Sequence, residues 1–397
     1  MDLVFVYEDK FAQDAQGNIY AGSAFSQAVF DRYLEHFDRV ILLMRRSPVS
    51  PDDTEALSRM NRLDGDRISV VWLPDLTASL RSFLSLRLRR QLRNIIRENI
   101  TPDRAVIIRV PSLSGRIAAG YCKKMGKPYL AEAVGCPWDS LWNHSLRGKL
   151  LAAKSWLQMR FCMKHASHAV YVTDEFLQRR YPTRGKSAPI SDVELRPADG
   201  AVLEKRLEKI ARHDGRTVIG TAAAVNVAFK GQRFVIGALA ALKAQGRTDF
   251  EYRLAGGGDC SRLRALAQKR GVSDQVVFEG SLPHDRMFDW LDGLDLYIQP
   301  STVEAMPRAL IEAMSRGLPV LASEVGGIPE LLGGSAIFPA KDTAAIADML
   351  AALGKNSMSA MARANFARAA DFEKAKLEKR RFDFYREFAE EAKESKA

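Results

Sequence analysis

Ser301-Thr-Val-Glu-Ala-Met-Pro-Arg-Ala-Leu-Ile-Glu-Ala-Met-Ser-Arg-Gly317 is the stretch on which the fold turns. The run Asp295-Leu-Tyr-Ile-Gln-Pro300 before it and Leu318-Pro-Val-Leu-Ala322 after it predict two strands, with a helix from Pro307 to Arg316 between them. Strand, loop, helix and strand in this order form a βαβ unit. Its loop lies at the carboxyl edge of a parallel sheet, where open α/β folds bind ligands. Pro307 suits the first helical position, because its missing N–H would have no intrahelical partner there. The N–H groups of Arg308, Ala309 and Leu310 then face the crevice as a seat for phosphate. Glu304 precedes that seat, and Glu312 follows it by about one and a half turns. Carboxylates accept hydrogen bonds from hydroxyls, so a phosphate seat between two of them suits a sugar nucleotide. The plain alternative is an amphipathic helix with Met306, Leu310 and Met314 on the sheet and both glutamates solvated.

The same alternation extends in both directions. After residue 214 come a strand Thr217–Thr221, a helix over 231–244, a strand Tyr252–Ala255, a helix over 259–270 and a strand Val276–Glu279. Helices over 342–353 and 355–369 follow the βαβ unit. Before residue 190 the pattern predicts strands Leu3–Tyr7, Val40–Met44, Ile68–Trp72, Ala105–Arg109, Pro128–Ala133 and Ala169–Val172. Helices near 22–36, 114–124 and 147–165 lie between them, with a basic helix ending at Arg97 and a polar loop from Asp9 to Gly17. Short apolar runs between longer amphipathic segments imply parallel sheets covered by helices. Pro and Gly collect between Tyr181 and Asp214 and mark a linker. The expected organisation is a domain over 1–190, a linker over 191–214, a second domain over 215–371 and a charged helix over 372–397.

Of the 397 residues 47% are hydrophobic and 27% charged, which fits a folded globular chain and excludes disorder as its main state. No run of 18 apolar residues occurs, and Met1-Asp-Leu-Val-Phe-Val-Tyr7 reads as a strand, not a signal peptide. Cys122, Cys136, Cys162 and Cys260 lack metal-ligand spacing and read as free thiols of a reducing compartment, the cytoplasm. The net charge of +11 is concentrated in two places. Between Asp75 and Glu98 stand Arg81, Arg87, Arg89, Arg90, Arg93 and Arg97 without an acid; between Asp139 and Asp174 stand Arg147, Lys149, Lys154, Arg160 and Lys164, again without one. Interleaved with Leu, Phe, Trp and Met, these stretches suit an anionic membrane surface. A solvated face, or arginines for a phosphate-bearing substrate, fits them too. No nucleic-acid motif accompanies the charge.

The stretch 295–332, with Ala313-Met-Ser-Arg-Gly-Leu-Pro-Val-Leu-Ala-Ser323 and Gly326-Gly-Ile-Pro-Glu330, resembles the E-x7-E motif of the family 4 retaining glycosyltransferases. The resemblance continues more weakly back to about 217. It implies the GT-B fold, in which two Rossmann-like domains face a central cleft and the C-terminal helix crosses back to the first. It also implies a nucleotide diphosphate sugar donor, UDP- or GDP-linked, held mainly by the second domain, and a glycan or lipid-linked acceptor on the first. By the same resemblance Glu312 binds the ribose, Glu304 the transferred sugar, and Lys230 of Phe229-Lys-Gly-Gln232 the pyrophosphate, with Gly231 permitting close backbone approach. The family adds an arginine before this lysine; here the stretch is Ala222-Ala-Ala-Val-Asn-Val227, and Asn226 is the substitute. Further donor contacts fall on Gly257 of Ala255-Gly-Gly-Gly-Asp259, Leu282 of Gly280-Ser-Leu-Pro283, Met306, Pro307, Arg308 and Ala309. Gly22 of Tyr20-Ala-Gly-Ser23 is expected near the donor phosphate, and Gly326-Gly327 near the sugar. Within Gly135-Cys-Pro-Trp-Asp-Ser-Leu-Trp-Asn-His144, both His144 and Asp139 are catalytic candidates. Lysine and helix start stabilise the departing diphosphate in this scheme, so no metal or cofactor is required. A sugar-nucleotide 2-epimerase of the same fold, and a non-catalytic sugar-nucleotide or polyanion-binding protein, are the competing readings.

Overall fold

A computed structural model describes all residues except 23, 24, 64, 144, 145, 198, 396 and 397, and the side chains of 146, 147 and 284. Its first strand, β1 (Leu3–Gln13), runs through the segment expected as a polar loop. The reason lies in its partners. Residues 3–6 pair in parallel with β3 (Val40–Arg46) and β6 (Ala105–Val110), and after a register shift Lys10 and Phe11 pair with Arg45 and Arg46. Ala12 and Gln13 then turn antiparallel onto β2 (Ile19–Ala21), which pairs with β4 (Asn61–Leu63). Asp14 makes the intervening turn, accepting from the N–H groups of Gln16 at 3.0 Å and Asn18 at 2.8 Å.

The main sheet adds β5 (Ile68–Leu73) beside β3, then β7 (Leu130–Ala133), β8 (His168–Tyr171) and β9 (Lys186–Pro189) beyond β6, all parallel. The second sheet is also parallel. Its order is β12 (Val276–Gly280), β11 (Phe250–Ala255), β10 (Thr217–Ala222), β13 (Leu296–Gln299), β14 (Val320–Ser323), β15 (Ile337–Phe338). In each sheet the strand order reverses once, between β1 and β6 and between β10 and β13. At such switch points adjacent loops diverge and leave a crevice.

The linker is shorter than its sequence suggests. Helix Gly200–Arg212 packs Ile210 against Met358 and Ala362 of the second domain. Its buried Arg206 donates to the carbonyls of Leu294 (2.5 Å) and Arg316 (3.3 Å), capping chain ends that would otherwise lack donors. Helix Lys374–Glu394 recrosses to the first domain. Leu377, Arg381, Phe384, Tyr385, Phe388, Ala389 and Ala392 fall on one face at helical spacing. The last five of these apolar side chains join the core of Leu3, Phe5, Phe30 and Phe37. The outgoing and returning strands meet side by side, Leu195 N–H donating to the Phe372 carbonyl at 3.0 Å and Lys374 N–H to that of Leu195 at 2.8 Å. All four cysteines are free. No described helix is long and apolar enough to cross a membrane.

Candidate active site

The second switch point assembles the site. The loop after β10 ends in a short turn, Ala228–Lys230, and the loop after β13 runs to the helix Arg308–Ser315. Thr302 N–H donates to the Phe229 carbonyl at 2.7 Å and fastens one loop to the other. Lys230 Nζ thereby reaches Glu304 Oε1 at 2.6 Å, although 74 residues separate them. The same oxygen accepts from Ser301 Oγ at 2.8 Å and Gln299 Nε2 at 3.1 Å. Glu304 is 10% exposed and Lys230 25%. One carboxylate oxygen is thus fixed by three donors. Beneath them, burial pushes the Tyr297 phenol well above its ordinary value, and the Glu304 and Glu312 carboxylates add to the shift. Tyr297 stays protonated and donates to Gln299 Oε1 at 2.8 Å, which orients the amide toward Glu304.

Pro307 stands at the N-cap with an extended backbone (φ −77°, ψ 111°), one position before the first-turn place expected for it. The N–H groups of Arg308, Ala309 and Leu310 still open the helix. Glu312 lies partly buried on that helix, one turn past Arg308. Met306 packs against the first domain's core as well as its own, and Ala305 against the first domain's core, so Met306 serves the domain contact.

Two of the glycines bring loops of this chain together. Gly231 has φ +78°, and a Cβ there would stand 1.8 Å from the Pro300 carbonyl oxygen. At Gly326, with φ +59°, it would stand 1.9 Å from the Glu304 carbonyl oxygen. The close approach each permits is between loops of this chain, and it holds Lys230 and Glu304 in place. Gly231→Ala is therefore expected to cost at least about 3 kcal/mol, from the left-handed backbone plus the collision. Denaturant unfolding would check this; a loss below about 1 kcal/mol would show that the loops separate freely.

The remaining candidates are spread out. Asn226 packs against the glycine turn, its Oδ1 2.5 Å from where a Gly258 Cβ would lie, and Gly257 faces Ser281 beside the partly buried Leu282. Gly22 has open space where a Cβ would be, and its carbonyl accepts from Asn61 Nδ2 at 3.1 Å. Asp139 pairs with Arg180 at 2.6 Å. His144 lies outside the described residues. The chain's one Asp-x-Asp spacing, Asp64-Gly-Asp66, falls between β4 and β5, and Asp64 is likewise not described.

Two features escape sequence reading. Glu330 reaches across the cleft, accepting from the N–H groups of Asp174 at 2.7 Å, Glu175 at 3.1 Å and Phe176, at the start of helix Phe176–Arg180. Its signal was present, since Glu330 closes the Gly326-Gly-Ile-Pro-Glu330 motif. At the first domain's switch point a cavity of about 410 Å³ opens between Glu8, Ser112, Pro137 and Lys154, walled by both basic helices. Glu8 is anchored there by the N–H of Ser114, at 2.6 Å.

Two parallel-sheet domains, each with a switch point, and a C-terminal helix returning to the first define the GT-B fold. Residues 216–356 match the family described as "Glycosyl transferases group 1". Protein CapJ of Staphylococcus aureus is 30% identical over 354 residues, covering 88% of this chain and 85% of CapJ. The chain belongs to the group 1 glycosyl transferases. The amylovoran biosynthesis glycosyltransferase AmsK of Erwinia amylovora is 38% identical over 110 residues, 26% of this chain and 27% of AmsK. The structure of HepE from Anabaena in complex with UDP and glucose superimposes with a TM-score of 0.60 at 16% identity, over 96% of this chain and 98% of HepE.

Proposed function

We propose that the protein is a retaining, metal-independent glycosyltransferase of polysaccharide biosynthesis, moving a hexose from a UDP- or GDP-sugar to a glycan or lipid-linked acceptor at an anionic membrane face. The observation that carries this reading is the Lys230–Glu304 pair at the mouth of the helix Arg308–Ser315. In this scheme the diphosphate takes the helix N–H groups, and Lys230 turns from Glu304 toward it, a charge-assisted contact. Glu304, kept in place by Ser301 and Gln299, accepts from the sugar's hydroxyls with its other oxygen. Glu312 takes the ribose. As the sugar–phosphate bond breaks, Lys230 and the helix amides meet the negative charge growing on the leaving diphosphate, without reorganisation. The cavity between Glu8 and Lys154 lies on the acceptor's domain, and Asp139 with Arg180 lies on the acceptor side of the cleft. The names of relatives such as AmsK support the polysaccharide setting.

Thermal shift against UDP-, GDP- and ADP-sugars tests the donor. The cognate donor at a hundred times its Kd should stabilise the protein by about 2.7 kcal/mol. Glu304→Ala should remain folded and lose sugar transfer, and NMR of the wild-type product should find the donor's anomeric configuration retained. Full transfer by Glu304→Ala, or an inverted product, would refute the reading.

A further inference from the structure

Helix Leu146–His165 is apolar on two sides. One face buries Ala152, Met159, Cys162 and Met163 in the first domain's core. The opposite face, at positions 150, 153, 154, 157 and 161, follows the same helical spacing; Phe161 at its end packs against the core, while Leu150 is 83% exposed and Leu157 60%. Beside this face lies an open groove of about 880 Å³, formed with helices Leu86–Asn99 and Leu113–Met125. It is lined by Arg93, Arg116, Lys124 and Lys154 and by no carboxylate. Arg93, Lys124 and Lys154 have no ion-pair partner among the described residues, while Arg116 lies over the Phe161 ring at 3.5 Å. Nearby, Leu80, Leu84 and Leu86 are also exposed, among Arg81, Arg87 and Arg90. A solvated helix face does not expose leucines in this density, and a protein core does not collect cations without acids.

Resting on the lipid-linked acceptor proposed above, we infer that this groove seats lipid phosphates of an anionic bilayer, with Leu150 and Leu157 entering the acyl region beside it. Charge complementarity selects this occupant: four cations at headgroup level, and leucines projecting past them, match phosphate above hydrocarbon. Lys154 and Gln158 line both the groove and the cavity at the first domain's switch point, so a lipid phosphate held here lies next to the acceptor's path. The bilayer would then present the lipid-linked end of the acceptor to the mouth of that cavity, while the donor enters from the second domain.

Sedimentation of the full chain with vesicles tests this. It should bind vesicles of phosphatidylcholine containing phosphatidylglycerol and not those of phosphatidylcholine alone, with binding weakened by salt. Arg93→Gln/Lys124→Gln/Lys154→Gln should lower the partition about a hundredfold, from a factor of about five per charge. Leu150→Ser/Leu157→Ser, at exposed positions that leave the core intact, should also release the protein. Wild-type partition of either variant, equal binding to neutral vesicles, or binding to single-stranded RNA in place of vesicles would overturn the inference. The nucleotide-sugar thermal shift on the same proteins reads the donor site separately. A failed donor reading and a failed lipid seat are therefore told apart.

Discussion

Lys230→Ala is expected to lower kcat/KM for sugar transfer by two to three orders of magnitude, about 3–4 kcal/mol of transition-state stabilisation. Two effects combine. The leaving diphosphate loses its cation, and Glu304, only 10% exposed, loses the charge that faces it. Ser301 and Gln299 still hold its Oε1, so the carboxylate should keep its position and the protein its fold. Steady-state kinetics with circular dichroism of the same sample would measure both. Near-normal kcat/KM in a folded variant would remove Lys230 from the mechanism. Lys230→Arg should recover only part of the rate, because a planar fork does not reproduce the reach of a compact ammonium that pairs with Glu304 and turns to the phosphate.

The second large effect is on stability. Glu132, on β7, is 3% exposed, and its Oε1 accepts from Tyr33 and Tyr385 hydroxyls, each at 2.7 Å. Its Oε2 accepts from Arg109 Nη1 at 3.0 Å, and Arg109 continues to Asp192 in the linker at 2.5 Å. Burial, then the neighbouring carboxylate, push both phenols well above their ordinary value, so they remain donors. One carboxylate therefore joins the first sheet, its outer helix, the linker and the returning C-terminal helix. Glu132→Ala leaves two buried hydroxyls and one buried guanidinium short of an acceptor, at an expected cost of about 3–5 kcal/mol. Glu132→Gln, which keeps an acceptor for the tyrosines, should cost less. The shift in the urea midpoint of the first domain would measure it. A loss below about 1 kcal/mol for the alanine variant would mean that the helix is held by its aromatic contacts alone.

The parts of the site that were legible in the sequence are those built by local rules. Glu304, Glu312 and the amides from Arg308 onward lie within one βαβ unit, where strand, turn and helix signals fix their relative places over fewer than 20 residues. Lys230 could be placed at a helix start. That it touches Glu304 could not be read, because their contact depends on β10 lying beside β13 in the sheet order. Gly231 and Gly326 were recognisable as positions needing close approach, but the approaching atom proved to be the chain's own carbonyl. β9 was not expected as a strand because Lys186-Ser-Ala-Pro189 carries no strand pattern of its own; as an edge strand it needs pairing on one side only, and Pro189 ends it. Helix Gly200–Arg212 was assigned to the linker, since only Arg206 and Ile210 are buried and the surface that receives them is more than 80 residues away.

The sequence by itself determined two parallel α/β domains and placed two acids and a lysine at the carboxyl edge of the second. Periodicity and capping act over a few residues and are written in the chain. The tertiary structure alone decided which loops meet at each switch point, that Glu330 spans the cleft, and that Glu132 anchors the returning helix. It also left Leu150 and Leu157 exposed on the outer face of helix Leu146–His165. These depend on burial and on the direction of side chains far apart in sequence, and a charge inside an apolar strand has a determinate meaning only once its partners surround it.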